Sequence, residues 1–509
     1  MGRYRMLEIA VRRFRDNPFA TIAGETWSYE RVHAATMEIA AGLSSLDSPR
    51  IAVLARNHPL YMVSTFAMGR AGATSMAISN KNKVGANIDL CRRGEAEMLV
   101  ISADEREAAE EIAAEVPSIH TILAFDGPDE AQPELLAWAR QQRSRLSAQP
   151  PGPEYIEGLS PTGGTTGASK LAQNSSRSLD VMVANVWARL PLESYTPVNL
   201  VVPPLSHAAG AFALILTPAG VRHVVHESFD AEKVIRALVD EQITDLYLPP
   251  TAIYNLLAHP DVRSYSYPHL RHLYYAGSPI SGDKLREAME VFGEVMTQFY
   301  GQSEVPLTAV CLTPADHATA LGDHPERILS CGRPTILTDI TILDDDDNEL
   351  APGERGEVAA RGDLVMNGYL GDATRAPLDW HRTGDVGYFD ELGYLYLIDR
   401  KRDVIVSGGF NVFPIEVEQV LWAHPAVEDC AVIGIPHEKW GEQVTGVVQL
   451  KPGMSATAEE LILRCREELG PIKAPKQIDF VDELPKSPVG KVLKRELRDT
   501  YWEGHDRKI

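Results

Sequence analysis

The chain has few cysteines, fewer basic than acidic residues and no long apolar run. Its five cysteines, Cys91, Cys311, Cys331, Cys430 and Cys465, lie far apart among 509 residues, with no C-x-x-C pair. That distribution excludes a disulfide framework and a cysteine-built zinc site, and it fits reduced thiols. Lys and Arg number 49 against 71 Asp and Glu, a formal net charge of −22. A chain so short of positive charge is not built to bind nucleic acid, which calls for a basic face. Small polyanions need only local positive potential, and Arg400-Lys401-Arg402 and Lys491-Val492-Leu493-Lys494-Arg495 offer it. Taken alone, each run reads most simply as a solvated face. No apolar stretch approaches the roughly 20 residues of a membrane span. The first residues, Met1-Gly2-Arg3-Tyr4-Arg5-Met6, lack the apolar core of a signal peptide, and Met6 stands where a myristoylation signal has Ser or Thr. The expectation is a cytoplasmic protein without a stable membrane anchor. Internal repeats and low-complexity tracts are also missing.

What is present is ordinary globular composition, 44% apolar and 24% charged, in a chain too long for one hydrophobic core. Ala20 to Tyr29 reads as two short strands joined at Gly24-Glu25, and Ser28 caps a predicted helix running to Leu43. From there strand and helix patterns alternate, through Ile51–Leu54, Met98–Ile101 and Thr121–Phe125. A second alternating run is marked by Val198–Pro203, Thr244–Leu248, His272–Tyr275 and Val295–Phe299. Such alternation predicts an α/β architecture with largely parallel sheets. The proline-rich segment 127–158 between the runs reads as a surface connection, part helix and part loop. After about residue 335 the texture turns β-rich, and Asp344-Asp345-Asp346-Asp347-Asn348 reads as a solvated turn rather than a metal site. The charged string Asp399-Arg400-Lys401-Arg402-Asp403 then marks a boundary ahead of a small α+β module.

The most informative string is Ser160-Pro161-Thr162-Gly163-Gly164-Thr165-Thr166-Gly167-Ala168-Ser169-Lys170. Glycines let backbone N–H groups turn inward on an anion, threonine hydroxyls add donors, and Lys170 adds a point charge. This is the chemistry of a phosphate cradle. Its spacing is not that of the NTPase P-loop, because Ala168 and Ser169 separate Gly167 from Lys170. Three further strings follow in order: Tyr300-Gly301-Gln302-Ser303-Glu304, Arg382-Thr383-Gly384-Asp385 and Pro485-Lys486-Ser487-Pro488-Val489-Gly490-Lys491. Together the four resemble the ordered signatures of the adenylate-forming superfamily of acyl-CoA synthetases, aryl-acid ligases, adenylation domains and luciferases. The resemblance extends from about Asn17 to about Leu497.

That resemblance implies a fold: a large N-terminal domain over 1–399, made of two α/β subdomains plus a distorted β-barrel, a hinge at 400–403 with Arg402 at the pivot, and a small mobile α+β lid over 404–509. It also implies roles. Thr162, Gly163, Gly164, Thr165, Thr166, Gly167 and Lys170 would hold the phosphates of ATP, with Thr166 among the catalytic groups. Tyr300 would face adenine, Gly301 and Gln302 would complete that strand end, Ser303 would meet the phosphate, and Glu304 would hold Mg²⁺. Asp385 matches a ribose-binding aspartate, Arg400 a second nucleotide contact, and Gly277-Ser278-Pro279 a loop closing over adenine and acyl group. Lys491 would reach the α-phosphate from the lid. Gly408 and Gly409 would line a pantetheine tunnel beside Trp440 after the lid turns. His207 matches a position at the mouth of the acid pocket, and Ala211, with Ala208, Ala209 and Gly210, would leave room for a bulky acyl group.

The implied activity is ATP-dependent ligation of a medium-chain, branched or aromatic carboxylic acid to coenzyme A through an acyl-adenylate. The alternatives are an adenylation enzyme that loads the phosphopantetheine arm of a carrier protein, and a catalytically silent nucleotide-binding scaffold. Intact Lys491, Glu304 and Asp385 argue against the scaffold. No acid near His207 stands ready to hold an amino group, which disfavours amino-acid substrates.

Overall fold

The computed structural model describes residues 2–22, 24–127, 134–142, 146–147, 149–162, 170–376, 378–486 and 492–502. The mixed α/β fold comprises a large N-terminal domain and a smaller C-terminal one. In the first sheet the order is Thr121–Ala124, Met98–Ile101, Arg50–Leu54, Thr74–Ile78, Ile156–Pro161, Leu171–Ser175. All its pairings are parallel except the last, an antiparallel hairpin. In the second, larger sheet, Met296–Tyr300, His272–Tyr275, Asp245–Tyr247, Val198–Val201, Arg222–Val225 and Pro18–Ile22 lie side by side and parallel. These strands are short and rich in Val, Leu, Tyr and Phe because helices cover both faces of a parallel sheet. The predicted turn at Gly24 joins an antiparallel pair, and the Ser28 Oγ accepts from Arg31 N at 3.4 Å to cap helix Tyr29–Leu43.

Asn57, buried just beyond strand Arg50–Leu54, ties the two halves together. Its amide donates to the carbonyls of Val202, Pro203 and His226 at 2.9–3.1 Å, and its Oδ1 accepts from Leu205 N at 2.8 Å. One side chain of the first half thereby fixes the loop that leaves the second sheet toward His207.

A third sheet, Asp339–Leu343, Gly356–Arg361, His381–Phe389 and Leu395–Arg400, corrects one expectation. It is an open antiparallel meander, and the described residues form no closed barrel. The free edge of Leu395–Arg400 does not return to Asp339–Leu343. It docks on the second sheet's margin, where Leu395 N donates to Gly332 O at 2.8 Å and Cys331 N to Leu395 O at 2.9 Å. Gly332 also packs tightly on the neighbouring strand Val310–Leu312: at φ +105° a Cβ there would meet the Cys311 carbonyl. The acidic run forms the expected turn, with Asp344 Oδ1 accepting from Asp346 N and Asn348 N at 2.8 and 2.9 Å.

The C-terminal domain has its own sheet, ordered Phe410–Val412, Ile405–Ser407, Gly441–Leu450, Val427–His437, with Gln477–Val481 running parallel to Gly441–Leu450. Helices Pro414–Trp422 and Ala458–Lys473 pack on it through Val417, Leu421, Leu461 and Cys465. All five cysteines are buried and unpaired. Among the described residues no helix is long and apolar enough to cross a membrane.

Candidate active site

Ligands of open α/β sheets collect at the carboxyl ends of the strands, and the sequence strings converge there. In the first sheet, strand Ile156–Pro161 ends in the hairpin tip. Its last rung is Thr162 N donating to Lys170 O at 2.9 Å, so these two residues form the base of the phosphate-loop candidate. Gly163, Gly164, Thr165, Thr166 and Gly167 lie outside the described residues. The Lys170 ammonium sits 4.6 Å from the centre of the Tyr369 ring and 3.8 Å from Asp372.

In the second sheet, strand Met296–Tyr300 ends at the same place. Gly301 follows because a Cβ there would lie 2.6 Å from the backbone of Val305 and Leu307. The tight loop fastens to the hairpin base: Ser303 Oγ donates to Pro161 O at 2.9 Å, and Asn174 Nδ2 to Ser303 O at 3.2 Å. Glu304 Oε1 accepts from the Tyr369 hydroxyl at 2.9 Å, and the Glu304 carbonyl from Met366 N at 2.8 Å. Among the described residues no group of three His, Cys, Asp or Glu could hold a metal. Glu304 is thus not part of a cluster of three such groups among the described residues. That arrangement fits a Mg²⁺ ion held by one carboxylate together with substrate phosphates and water.

Asp385 is the hub of the site. It lies buried on strand His381–Phe389, directly opposite Arg400 on Leu395–Arg400. Its Oδ2 accepts from the Tyr300 hydroxyl at 2.7 Å and from Gln302 Nε2 at 2.6 Å, and Arg400 Nε reaches its Oδ1 at 2.7 Å. Three donors from two other strings thus share the one carboxylate of Asp385. Tyr300 is a core residue as well: burial, and then the Asp385 charge, push its phenol pKa well up. The Arg382 of the third string points elsewhere, to Asp347 and Glu357.

On the acid side, His207 precedes helix Ala208–Leu216, its Nδ1 2.9 Å from Ser206 Oγ. Its side chain is open to solvent yet walled in, and desolvation, then Lys81, lowers its pKa. Ala211 is half-buried on the same helix. The next residue, Phe212, stacks on Tyr274 at 4.5 Å and on Tyr247 at 5.0 Å, with Phe299 at 5.7 Å, so an aromatic floor underlies the small residues. Gly277, at φ +88°, follows strand His272–Tyr275 and opens into free space, with Ser278 and Pro279 behind it.

In the C-terminal domain, Lys491 lies outside the described residues, but the stem of its loop does not. Lys486 pairs with Asp429 at 2.6 Å; burial, and to a lesser degree Asp429, raise the pKa of Tyr254, whose hydroxyl accepts from Ser281 N at 2.7 Å. The stem therefore lies toward the 277–281 loop. Gly408 and Gly409 are exposed and form a two-residue hairpin turn, both at positive φ (+59° and +84°), as a type I′ turn requires. Trp440 accepts from Gly408 N at 2.8 Å and stacks on His437 at 4.2 Å. Arg402 is exposed in the 3₁₀ turn Lys401–Asp403, next to Asp403, which pairs with Arg498 at 2.6 Å.

Sequence reasoning missed Asn57, Asn174, Tyr369 and His381. The last lies near Glu304, and its pKa is lowered mainly by burial. Each comes from a loop or strand between strings, and no periodicity marks it. Only Tyr369, two residues before an acidic turn and just after Gly368 at φ +119°, carries a local turn signal.

Comparison with known proteins identifies the family. Residues 7–370 match the AMP-binding enzyme family and residues 416–491 the AMP-binding enzyme C-terminal domain. A medium/long-chain-fatty-acid–CoA ligase, FadD8, of Mycobacterium tuberculosis is 38% identical over 73% of this chain and 66% of its own length. A feruloyl-CoA synthase of an Amycolatopsis species is 32% identical over 96% of this chain and 98% of its own. Among solved structures, the amide bond synthetase McbA of Marinactinospora thermotolerans superposes with a TM-score of 0.86 at 27% identity, covering 98% of this chain and 100% of that one. ATP-bound MatB of Rhodopseudomonas palustris has the same TM-score, 0.86, at 25% identity, covering 99% and 100%. The chain belongs to the AMP-binding enzyme family, and it is an adenylate-forming acid–thiol ligase.

Proposed function

We propose that the protein activates a medium-chain, branched or aromatic carboxylic acid with ATP and transfers the acyl group to coenzyme A. A carboxylate is a poor electrophile because oxide is a poor leaving group. Attack of its oxygen on the α-phosphorus of ATP forms the acyl-adenylate and releases pyrophosphate. Attack of a thiolate on the acyl carbon then expels AMP. Neither step needs a covalent enzyme intermediate, so the work is positioning and charge neutralisation. The observation that carries the reading is the convergence on Asp385 of Tyr300, Gln302 and Arg400, beside Ser303, Glu304 and the hairpin base. A carboxylate there accepts from the ribose diol, and Ser303, Thr162 and Lys170 lie on the phosphate side. When bound, Mg²⁺ supplies charge neutralisation on the phosphates, and Glu304 is the residue that would hold it.

The acid side supports this substrate class. His207 and the small residues Ala208 to Ala211 lie together at the start of one helix, which supports room for a flat or branched acyl group beside them. The feruloyl-CoA synthase and the fatty-acid ligase bracket the same range. A carrier-protein acceptor is the second reading, favoured by 30% identity to a fatty acid–acyl-carrier-protein ligase of Streptomyces coeruleorubidus. The position of the Lys486 stem against Asp429 and the 277–281 loop supports an adenylating arrangement, with Gly408, Gly409 and Trp440 turned to solvent until the domain pivots at Arg402.

The test is acid-dependent ATP–pyrophosphate exchange across aryl, medium-chain and branched acids, followed by thioester assay on free coenzyme A and on a loaded carrier. Lys491→Ala should slow exchange by roughly 10²–10³-fold, in line with loss of one transition-state donor. It should spare conversion of supplied acyl-adenylate to thioester. Equal damage to both half-reactions would contradict the two-position lid, and absence of exchange with every acid would contradict the ligase reading itself.

A further inference from the structure

The second sheet has a second polar recess, at the end opposite the nucleotide residues. Its parallel strands begin at Val198, Asp245, His272 and Met296, and a cavity of about 510 Å³ opens beside these amino ends. Strand Met296–Tyr300 separates it from the Asp385 hub by about 13 Å, at about 3.3 Å per residue. Two arginines line it, Arg189 from the turn after helix Ser176–Trp187 and Arg271 from the approach to strand His272–Tyr275.

Neither guanidinium is fully engaged by the described residues. Arg189 Nε and Nη2 are shielded from solvent without a hydrogen-bond acceptor, and the carboxylate of Asp316 stands 4.0 Å from Nη2. Asp316 is already engaged, accepting from Tyr394, Thr313 Oγ1 and Thr313 N at 2.6, 2.7 and 3.0 Å. Arg271 has no ion-pair partner among the described residues. A shielded guanidinium without acceptors is costly, and a bound oxyanion would meet its N–H groups in pairs. His272 in the floor adds no charge, since burial and then Arg271 lower its pKa to about 4. Tyr195 lines the cavity too, but its hydroxyl is spent on Asp245 at 3.0 Å. Leu190, Pro191 and Pro314 provide an apolar wall, while Glu294 at the rim and Asp316 behind Arg189 set the opposing charges. The volume lies within the usual range for small-molecule sites.

We propose that this cavity binds a small organic anion, with a carboxylate or phosphate group between Arg189 and Arg271 and an apolar body against Leu190, Pro191 and Pro314. The site is separate from the proposed acid and nucleotide sites and does not depend on their reading.

Benzoate and phenyl phosphate share a ring and differ only in the anion, so they distinguish the two sources. Each is titrated calorimetrically into the full-length protein and into Arg271→Gln, Arg189→Gln and Asp385→Asn. Saturable binding of at least one probe is expected, weakened about tenfold or more by either arginine change, a loss of about 1.4 kcal/mol. Asp385→Asn should leave that binding within about twofold, which separates it from occupancy of the nucleotide site. Binding of benzoate alone identifies a carboxylate ligand, binding of phenyl phosphate alone a phosphate ligand, and binding of both a general oxyanion site. Arg271 is exposed, so its replacement reads binding even where Arg189→Gln compromises folding. The proposal is overturned if neither probe saturates by about 10 mM, an affinity below the millimolar scale of about 4 kcal/mol. Binding that ignores Arg271→Gln overturns it equally.

Discussion

Asp385 and Asp245 lie at opposite ends of the same region, both buried, and each collects three donors that include tyrosine hydroxyls. Asp385 takes Tyr300, Gln302 and Arg400. Asp245 takes Tyr274 at 2.7 Å, Tyr195 at 3.0 Å and the Thr244 hydroxyl at 2.6 Å. The difference is a cation. Arg400 compensates the charge of Asp385, whereas Asp245 has hydroxyls alone, and burial outweighs them to raise its pKa to about 6. The carboxylate that faces the site comes with a counter-charge, whereas the one that joins strands has none and takes up a proton more readily.

The largest expected effect breaks the first of the pair. Asp385→Asn keeps the shape of the hub but leaves Arg400 without its carboxylate and turns one acceptor into a donor. Pyrophosphate exchange should fall by about 100-fold or more, the scale of losing one charge-assisted transition-state contact. Thioester formation from supplied acyl-adenylate should fall as well, because both half-reactions hold the ribose. The variant should also discriminate less between ATP and 2′-deoxy-ATP. Full discrimination in a folded Asp385→Asn protein would make Asp385 a structural hub only.

The next effect is on stability and belongs to Asp245. Its folded pKa, about 6, stands above the ordinary aspartate value of 3.8, so the native state holds the proton more tightly than the unfolded chain. Stability from this group is therefore present in full below pH ~4 and is lost as pH rises through about 6, a cost of about 3 kcal/mol at neutrality. Asp245→Asn carries no such cost. The urea midpoint of the variant minus that of the parent should rise across pH 4 to 6 and level off above, while exchange activity at neutral pH is retained. A difference that stays flat with pH would mean that Asp245 is ionised as freely in the fold as outside it.

The same pair shows what a sequence can disclose. Asp385 was legible because Arg382-Thr383-Gly384-Asp385 is a local string, as are Tyr300–Glu304 and the glycine-threonine loop. Strands end at these strings, and parallel sheets bring strand ends together without any further information. Alternation likewise foretold two α/β runs and the small C-terminal module. Asp245 was not legible, since an aspartate in Thr244-Asp245-Leu246-Tyr247 looks like a strand margin until Tyr195 and Tyr274 arrive from other elements. Asn57, Arg189 and Tyr369 share that character: each acts through partners more than 100 residues away or through a cavity. The open third sheet was missed for a related reason. Whether a meander closes depends on which edge a distant segment occupies, and here Gly332 takes the edge of Leu395–Arg400.

The smallest effect sharpens the comparison with a third carboxylate. Glu304 has neither the cation of Asp385 nor the three hydroxyls of Asp245, but one donor, the Tyr369 hydroxyl at 2.9 Å. The other face of that residue has a second task, since the Lys170 ammonium rests over its ring at 4.6 Å. Tyr369→Phe separates the two, keeping the ring beneath Lys170 while removing the hydrogen bond that aims Glu304. One such bond to a charged acceptor is worth about 1.5 kcal/mol or more, so the apparent KM for MgATP should rise about tenfold. The KM for the acid should hold steady, because His207 and Ala211 lie on other strand ends. The loss should also depend on magnesium, shrinking as its concentration rises, since a carboxylate left to wander still binds the ion when the ion is abundant. Tyr369→Leu removes the ring as well and should add a weakening of MgATP that magnesium does not repair. If Tyr369→Phe instead raises the KM for the acid, Glu304 does not face the phosphates, and the polar floor between hairpin and strand serves the carboxylate substrate.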